Sequence, residues 1–247
     1  MKHFHKHGFT IIETILFLGI SGSLIAGVLI GTGSSINTQR YRDSVVSLRS
    51  FLQQQYSDVS NVRNSSAINN TCGGISGYRG QTKCVILGRY VIVQNPTLSS
   101  ILVVKNVIGI IPDQPIPPNP PLPTDDVGLI NKYRIEVSTA MVTDDDTYNL
   151  EWDASMKNVV TNHNPMEFSM LILRSPTSGI IRTFIDADAI IPDADIGTLV
   201  TAPALKTDVT ICVDSNGLFT GPPMAVLVNK NVTSASGIEM LGETSGC

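Results

Sequence analysis

The hydrophobic pattern begins with a long apolar segment. From Phe9 to Thr32 nearly every residue is apolar or small, and Glu13 is the only charged one. These 24 residues would form a helix of about 36 Å, which is long enough to cross the roughly 30 Å hydrocarbon core of a bilayer. The pattern therefore predicts a transmembrane helical half over residues 9–32.

The apolar segment is followed by an amphipathic one. A 4-3-4-3-4 spacing of positions stripes one face of a helix, and the positions are Tyr41, Val45, Leu48, Leu52, Gln55 and Val59. The stripe lasts less than three heptads, so we interpret it as packing against a globular head rather than as a coiled-coil seam. One helix is thus predicted over residues 9–60, transmembrane first and amphipathic afterwards.

Residues 61–247 show a third pattern, predicted to be a β-rich head. Short runs rich in Val and Ile alternate with Gly, Pro, Asn and Asp, which is typical of strands and turns. The spacing favours two packed antiparallel sheets over parallel βαβ units, and Ser215-Asn216-Gly217 is a hairpin-turn signal. The predicted fold class is α+β, a long helix supporting a mostly antiparallel head. The candidate strands are Cys84–Val93, Ile101–Ile111, Tyr133–Val142, Tyr148–Asp153, Glu167–Arg174, Ile180–Ile185, Val209–Asp214, Ala225–Asn229 and Gly237–Leu241.

Composition narrows the function classes. The chain has 17 Lys and Arg against 21 Asp and Glu, and its few basic residues form no patch, so direct nucleic-acid binding is not expected. His163 is the only histidine beyond the first seven residues, and the sequence has no G-x-S-x-G, H-E-x-x-H or Walker motif. We therefore expect a protein that is not an enzyme and that uses no cofactor.

The N-terminal flank sets the expected orientation. Lys2 and Lys6 precede the apolar segment, so the N-terminus should stay in the cytoplasm and the head should lie outside. A secretory signal peptide would have a shorter apolar core and an A-x-A-like cleavage site. A plain membrane anchor fits the length but leaves Glu13 unexplained, because a charge in lipid costs about 2.5–3.5 kcal/mol on insertion scales.

A third interpretation accounts for the charge as well. The segment Gly8-Phe9-Thr10-Ile11-Ile12-Glu13 resembles the processing site of type IV pilins and type II secretion pseudopilins. In that family a prepilin peptidase cuts after the glycine that ends a short basic leader, and it methylates the new N-terminal residue. The resemblance implies a leader over residues 1–8, a methylated Phe9, and Glu13 as the fifth residue of the mature chain. Unlike in many major pilins, no proline interrupts the apolar segment.

The resemblance also implies a function and partners. It implies a structural subunit that assembles through its N-terminal helix with other pilin or pseudopilin subunits. The large head favours a minor over a major subunit. Glu13 would pair with the amino terminus of a neighbouring subunit. The resemblance does not decide whether the assembly is a secretion pseudopilus, a type IV pilus or a DNA-uptake pilus. The rival functions are a membrane-tethered binding protein that does not polymerise and a tethered hydrolase.

All four cysteines lie in the predicted head. Sequence proximity favours the pairs Cys72–Cys84 and Cys212–Cys247, and the family resemblance supports the second, since many pilins close a C-terminal loop by a disulfide. A zinc site is the rival interpretation, but it lacks a C-x-x-C pair. Disulfides imply an oxidising compartment, which agrees with a head outside the cytoplasm.

The Pro-rich segment and the acidic clusters each allow two interpretations. Residues 112–123 contain seven prolines and favour an extended polyproline II path, either as a stiff loop or as a docking segment. The acidic clusters Asp144-Asp145-Asp146 and Asp186, Asp188, Asp193 and Asp195 would suit calcium or would simply be solvated turns. No metal site is assigned to them.

Overall fold

The fold is built on one long helix that carries two antiparallel sheets. A computed structural model of the chain describes residues 10–61, 71–72, 75–76, 84–94, 101–110, 134–137, 146–158, 166–175, 178–201, 208–217, 221–230, 232–242 and 247. The predicted leader and the Pro-rich segment 112–123 lie outside the described residues. The α+β class and the mostly antiparallel sheet structure agree with the sequence prediction.

Helix α1 runs without interruption over Ile11–Ser60. Its glycines at positions 19, 22, 27, 31 and 33 lie in open space, because a Cβ atom added at any of them would meet no atom within 4 Å. None of these glycines breaks the helix. At the far end, the Arg174 guanidinium donates a hydrogen bond of 3.0 Å to the Ser60 carbonyl. A cation at this position suits the negative end of the helix dipole.

The larger sheet has six strands. Its order is β5-β4-β3-β8-β9, and β6 also pairs with β4. Every pairing is antiparallel, and β5 and β6 pair with different halves of β4. The strand bounds are β3 Cys84–Val93, β4 Ile101–Ile110, β5 Arg134–Val137, β6 Asp146–Asn149, β8 Ser169–Arg174 and β9 Ile181–Asp186.

The smaller sheet has four strands in the order β12-β11-β10-β7, again antiparallel throughout. A separate two-residue ladder joins β1 and β2. The bounds are β1 Thr71–Cys72, β2 Ile75–Ser76, β7 Ser155–Asn158, β10 Val209–Asp214, β11 Met224–Val228 and β12 Ile238–Leu241.

The main core lies where α1 meets both sheets. All six predicted stripe residues are buried, and Ser44 and Tyr56 are buried beside them. The apolar residues among them join one cluster with residues of both sheets, including Met170 and Ile172 of β8 and Ile211 of β10. The stripe therefore packs against the head, as the sequence analysis expected.

A second core covers the other face of the six-stranded sheet. There a 3-10 helix over Asp193–Asp195 and a short helix α2 over Gly197–Thr201 follow β9. Ile196, Leu199 and Val200 are buried against sheet residues such as Leu171 and Phe184. This short helix was not predicted from the sequence.

The strand prediction was wrong around Trp152. The expected strand Tyr148–Asp153 ends at Asn149, and Trp152 and Asp153 instead form a turn with left-handed backbone angles, φ 60° and 55°. The chain then enters β7, which the sequence analysis did not predict. Strand β7 forms the edge beside β10, where Lys157 is ion-paired with Asp214.

Candidate assembly helix and its junction with the head

The N-terminus of α1 is closed by a capping box. Thr10 is the N-cap residue, and its hydroxyl accepts a hydrogen bond from the Glu13 amide at 3.3 Å. The Glu13 carboxylate in turn accepts bonds from the Thr10 amide at 2.9 Å and from the Thr10 hydroxyl at 3.0 Å. Each residue thus satisfies backbone donors that a helix start leaves open.

The capping box changes what is known about Glu13. Its carboxylate was expected to be costly in lipid and to find its partner in a neighbouring subunit, but it already has two donors within its own chain. The spacing Thr10-x-x-Glu13 was a readable signal for this cap that the sequence analysis did not use. Gly8 and Phe9, the expected processing residues, lie outside the described residues.

The first half of α1 is apolar and uncovered. Helix α1 is long and apolar enough to cross a membrane, and in its apolar stretch of 18 residues no residue is buried by the head. Side chains such as Ile12, Phe17 and Ile30 are at least 69% exposed. An uncovered surface of this size is not stable in water and indicates a membrane or a protein partner.

The hydroxyl groups in this half fit an apolar surrounding. The hydroxyls of Ser23, Thr32 and Thr38 donate to the carbonyls of Ile20, Leu29 and Ser34, respectively. Backbone bonding of this kind lets Ser and Thr occupy a membrane helix without an unsatisfied donor.

Tyr41 is the first residue of α1 that the head buries. Its hydroxyl donates to the Val213 carbonyl at 2.7 Å and accepts from the Met224 amide at 2.6 Å. Burial raises the pKa of this phenol above its ordinary value, so the group stays protonated and keeps its role as donor. Val213 and Met224 are opposite one another in the β10–β11 pairing, so one hydroxyl ties the helix to two neighbouring strands.

Further polar contacts continue this attachment along the helix. Arg49 and Gln53 donate to the Ile238 carbonyl at the start of β12, and Gln53 also donates to a carbonyl of the preceding 3-10 helix, Ala235–Gly237. Deeper in the core, the Tyr56 and Thr183 hydroxyls are 2.7 Å apart, and Thr183 donates to the Val232 carbonyl. Because the Thr183 proton goes to that carbonyl, Tyr56 must be the donor to Thr183. Burial raises the pKa of Tyr56 strongly.

The junction also carries an exposed aromatic residue that the sequence analysis overlooked. The guanidinium carbon of Arg40 lies 4.7 Å from the centre of the Trp152 ring, a cation–π distance. Trp152 is the only tryptophan of the chain, which singles it out, but nothing in the sequence places it beside Arg40.

The structure brings one predicted cysteine pair together. Cys212 of β10 and Cys247 form a disulfide with a Cα–Cα distance of 5.8 Å, the pairing that the sequence analysis favoured. It fastens the last residue of the chain to an inner strand of the smaller sheet. Cys72 ends β1 and Cys84 begins β3, but their side chains are outside the described part.

The second acidic cluster does not converge. Asp193 is ion-paired with Lys105 at 2.7 Å, and the Asp186 carboxylate accepts from the Asp188 amide. Among the described residues, no group of three or more His, Cys, Asp or Glu side chains is placed to hold a metal ion. Asp144 and Asp145 of the first cluster lie outside the described residues.

Comparison with protein-family models, with curated proteins and with solved structures finds no match to this chain.

Proposed function

We propose that this chain is a pilin-like structural subunit. A prepilin peptidase cleaves it after Gly8 and methylates Phe9, and the helix then assembles it into a type IV pilus or a type II secretion pseudopilus. The head remains on the outer side of the cytoplasmic membrane and becomes part of a cell-surface or periplasmic filament. Its partners are the peptidase, membrane lipid and other subunits of the same class.

The division of α1 into two halves carries this proposal. One continuous helix begins with an uncovered apolar half and continues as a half that both sheets of the head enclose. A membrane tether alone does not need this continuity, because a flexible linker would hold a head equally well. An unbroken helix fixes the head relative to the apolar half, as packing into a regular filament requires.

The helix start supports the expected processing site. The capping box places the helix N-terminus at Thr10, directly after the expected first mature residue, Phe9. Cleavage after Gly8 would therefore release a chain that is helical almost from its first residue. The Cys212–Cys247 disulfide supports a head in an oxidising compartment.

Processing can be tested on the full chain, produced together with a prepilin peptidase. We expect mass spectrometry of the membrane fraction to find N-methylated Phe9 as the first residue. Gly8→Ala should block cleavage, because a side chain obstructs close approach to the backbone. Gly19→Ala is the matched control, since no atom lies within 4 Å of its built Cβ, and it should be processed normally. An intact Met1 in assembled material would contradict the proposal.

Assembly is tested separately from membrane tethering. Two cysteines introduced at Leu16 and Ile25, both 60% exposed and on opposite faces of the helix, should crosslink into a ladder of multimers when filaments form. The same pair in the uncleavable Gly8→Ala chain should not. A processed chain that inserts but gives no ladder would favour a tethered binding protein over a filament subunit.

A further inference from the structure

The exposure of Trp152 is imposed by the fold. Its side chain is 46% exposed, and both Trp152 and Asp153 have the left-handed backbone angles that large residues rarely adopt. The turn is fastened from the neighbouring hairpin, because the Asn216 side chain donates to the Asp153 carbonyl. The Asn216 amide oxygen in turn accepts from Ser155 at 3.2 Å. The structure thus holds a large apolar ring at the surface.

Arg40 leaves its donors available at the same place. Its guanidinium contacts the face of the Trp152 ring, and no carboxylate of the described residues is within ion-pair distance of it. Side chains of a helix lean toward its N-terminus, so the Arg40 guanidinium reaches from the head toward the uncovered apolar half of α1. The pair therefore lies on the end of the head that faces that half.

The positions of the charges along α1 indicate where this end of the head lies relative to a membrane. Thr14 to Gln39 is a stretch of 26 residues without a charge, bounded by Glu13 and Arg40. As a helix it is about 39 Å long, which is close to the roughly 40–45 Å of a bilayer with its headgroups. With Glu13 at one surface of the membrane, Arg40 and Trp152 lie at the other.

We propose that the Arg40–Trp152 pair is a contact with the bilayer surface that seats the head on phospholipid headgroups. Tryptophan favours the membrane–water interface because one part of its ring system is apolar and its N–H is polar. The arginine fork suits a phosphate. The adjacent carboxylates of Glu151 and Asp153 favour a zwitterionic surface over a strongly anionic one. This inference rests on α1 crossing a membrane, which is part of the proposed function.

The single tryptophan makes the contact measurable in the full chain. The protein is reconstituted in phosphatidylcholine vesicles that contain phosphatidylcholine brominated near the headgroup end of its acyl chains, and tryptophan fluorescence is recorded. The matched control is the double variant Trp152→Phe/Ile180→Trp. Ile180 is also 46% exposed, but it lies in the turn beside Arg174 and Ser60. Ser60 is 20 residues beyond Arg40, or about 30 Å along the helix.

We expect bromine to quench Trp152 several-fold more strongly than tryptophan at position 180. Arg40→Gln should reduce the quenching of Trp152, and Arg40→Lys should retain most of it because the cation remains. Equal quenching at both positions would overturn the proposal. So would protection of Trp152 that appears only at high protein-to-lipid ratio, because a second copy of the chain would then cover the ring.

Flotation of the vesicles separates this proposal from the proposed function. If the chain floats with the vesicles while Trp152 is not quenched, the surface contact is wrong and the membrane helix stands. If the chain does not float, the membrane helix itself is refuted and the contact is refuted with it.

Discussion

At the scale of single residues, Tyr41 determines where the free helix ends and the head begins. Its hydroxyl completes the hydrogen bonding of Val213 and Met224 at the end of the β10–β11 ladder. Both backbone groups are buried with it, so no water replaces the phenol if it is removed. The residue therefore holds the helix and the smaller sheet in a fixed relation.

Tyr41→Phe should destabilise the head more than Tyr56→Phe. The first change leaves a buried carbonyl and a buried amide without this partner, each at a cost of about 1–3 kcal/mol. The second removes one donor from Thr183, which keeps its own bond to Val232, and should cost about 1 kcal/mol. Denaturant unfolding of the full chain in detergent, followed by near-UV circular dichroism, measures both. Equal effects would show that the Tyr41 bonds do not fasten the junction.

The sequence predicted the residues of the helix face but not the turn at Trp152. The stripe Tyr41 to Val59 follows from helical periodicity alone. Ser44 and Tyr56 are buried as well, because two sheets enclose a wider arc of the helix than one line of positions covers. Tyr148, Leu150 and Trp152 alternate like a strand, yet a bond from Asn216, 63 residues beyond Asp153, fixes a turn instead.

At the scale of elements, the second half of α1 is part of the core of the head. Two adjacent residues of this half show this directly, since Val45 is fully buried and Val46 is 44% exposed. The two residues have the same side chain on the same turn of the same helix. They therefore separate the energetics of packing from those of helix propensity.

Val45→Ala should lower the free energy of unfolding by about 2 kcal/mol, because it removes buried methyl groups and leaves a cavity. Val46→Ala should change it by less than about 0.5 kcal/mol, as surface substitutions usually do. The difference in denaturation midpoint between the two variants gives the packing energy. If both variants unfold at the same midpoint, the helix does not belong to the cooperative core of the head.

Seven strands rich in Val and Ile were predicted to within two residues, whereas the predicted strand Tyr133–Val142 is a strand over Arg134–Val137 among the described residues. Strand β7 was missed for a physical reason. Cys84–Val93 and Val209–Asp214 have the predicted bounds. Strand β7, Ser155–Asn158, has no apolar pattern and is a strand because β10 offers it an open edge. Helix α2 contains β-branched residues that do not favour a helix, and its buried Leu199 and Val200 against the larger sheet explain its formation.

At the scale of the whole molecule, the Cys212–Cys247 disulfide closes the chain on itself across a sequence separation of 35 residues. Closing a loop of this length raises the free energy of unfolding by about 4 kcal/mol in the chain-entropy model. Reducing the bond should therefore lower the denaturation midpoint of the head. The double variant Cys212→Ala/Cys247→Ala should show the same loss without reductant. A variant that keeps the original midpoint and loses it only when reductant is added would assign the effect to Cys72 and Cys84 instead.

Assembly depends, in the proposed function, on the charge of Glu13, and the capping box offers a competing explanation that variants can separate. Glu13→Ala removes the charge and the carboxylate half of the capping box, and Glu13→Gln removes the charge but keeps an acceptor for the Thr10 amide. Thr10→Val removes the hydroxyl half of the box but keeps the charge. We expect all three to insert into the membrane, since none of them adds a charge to the apolar segment. Both Glu13 variants should be lost from purified filaments, whereas Thr10→Val should be incorporated nearly as well as the unmodified chain. Loss of Thr10→Val together with retention of Glu13→Gln would show that helix capping, and not a charge pair between subunits, is what assembly requires.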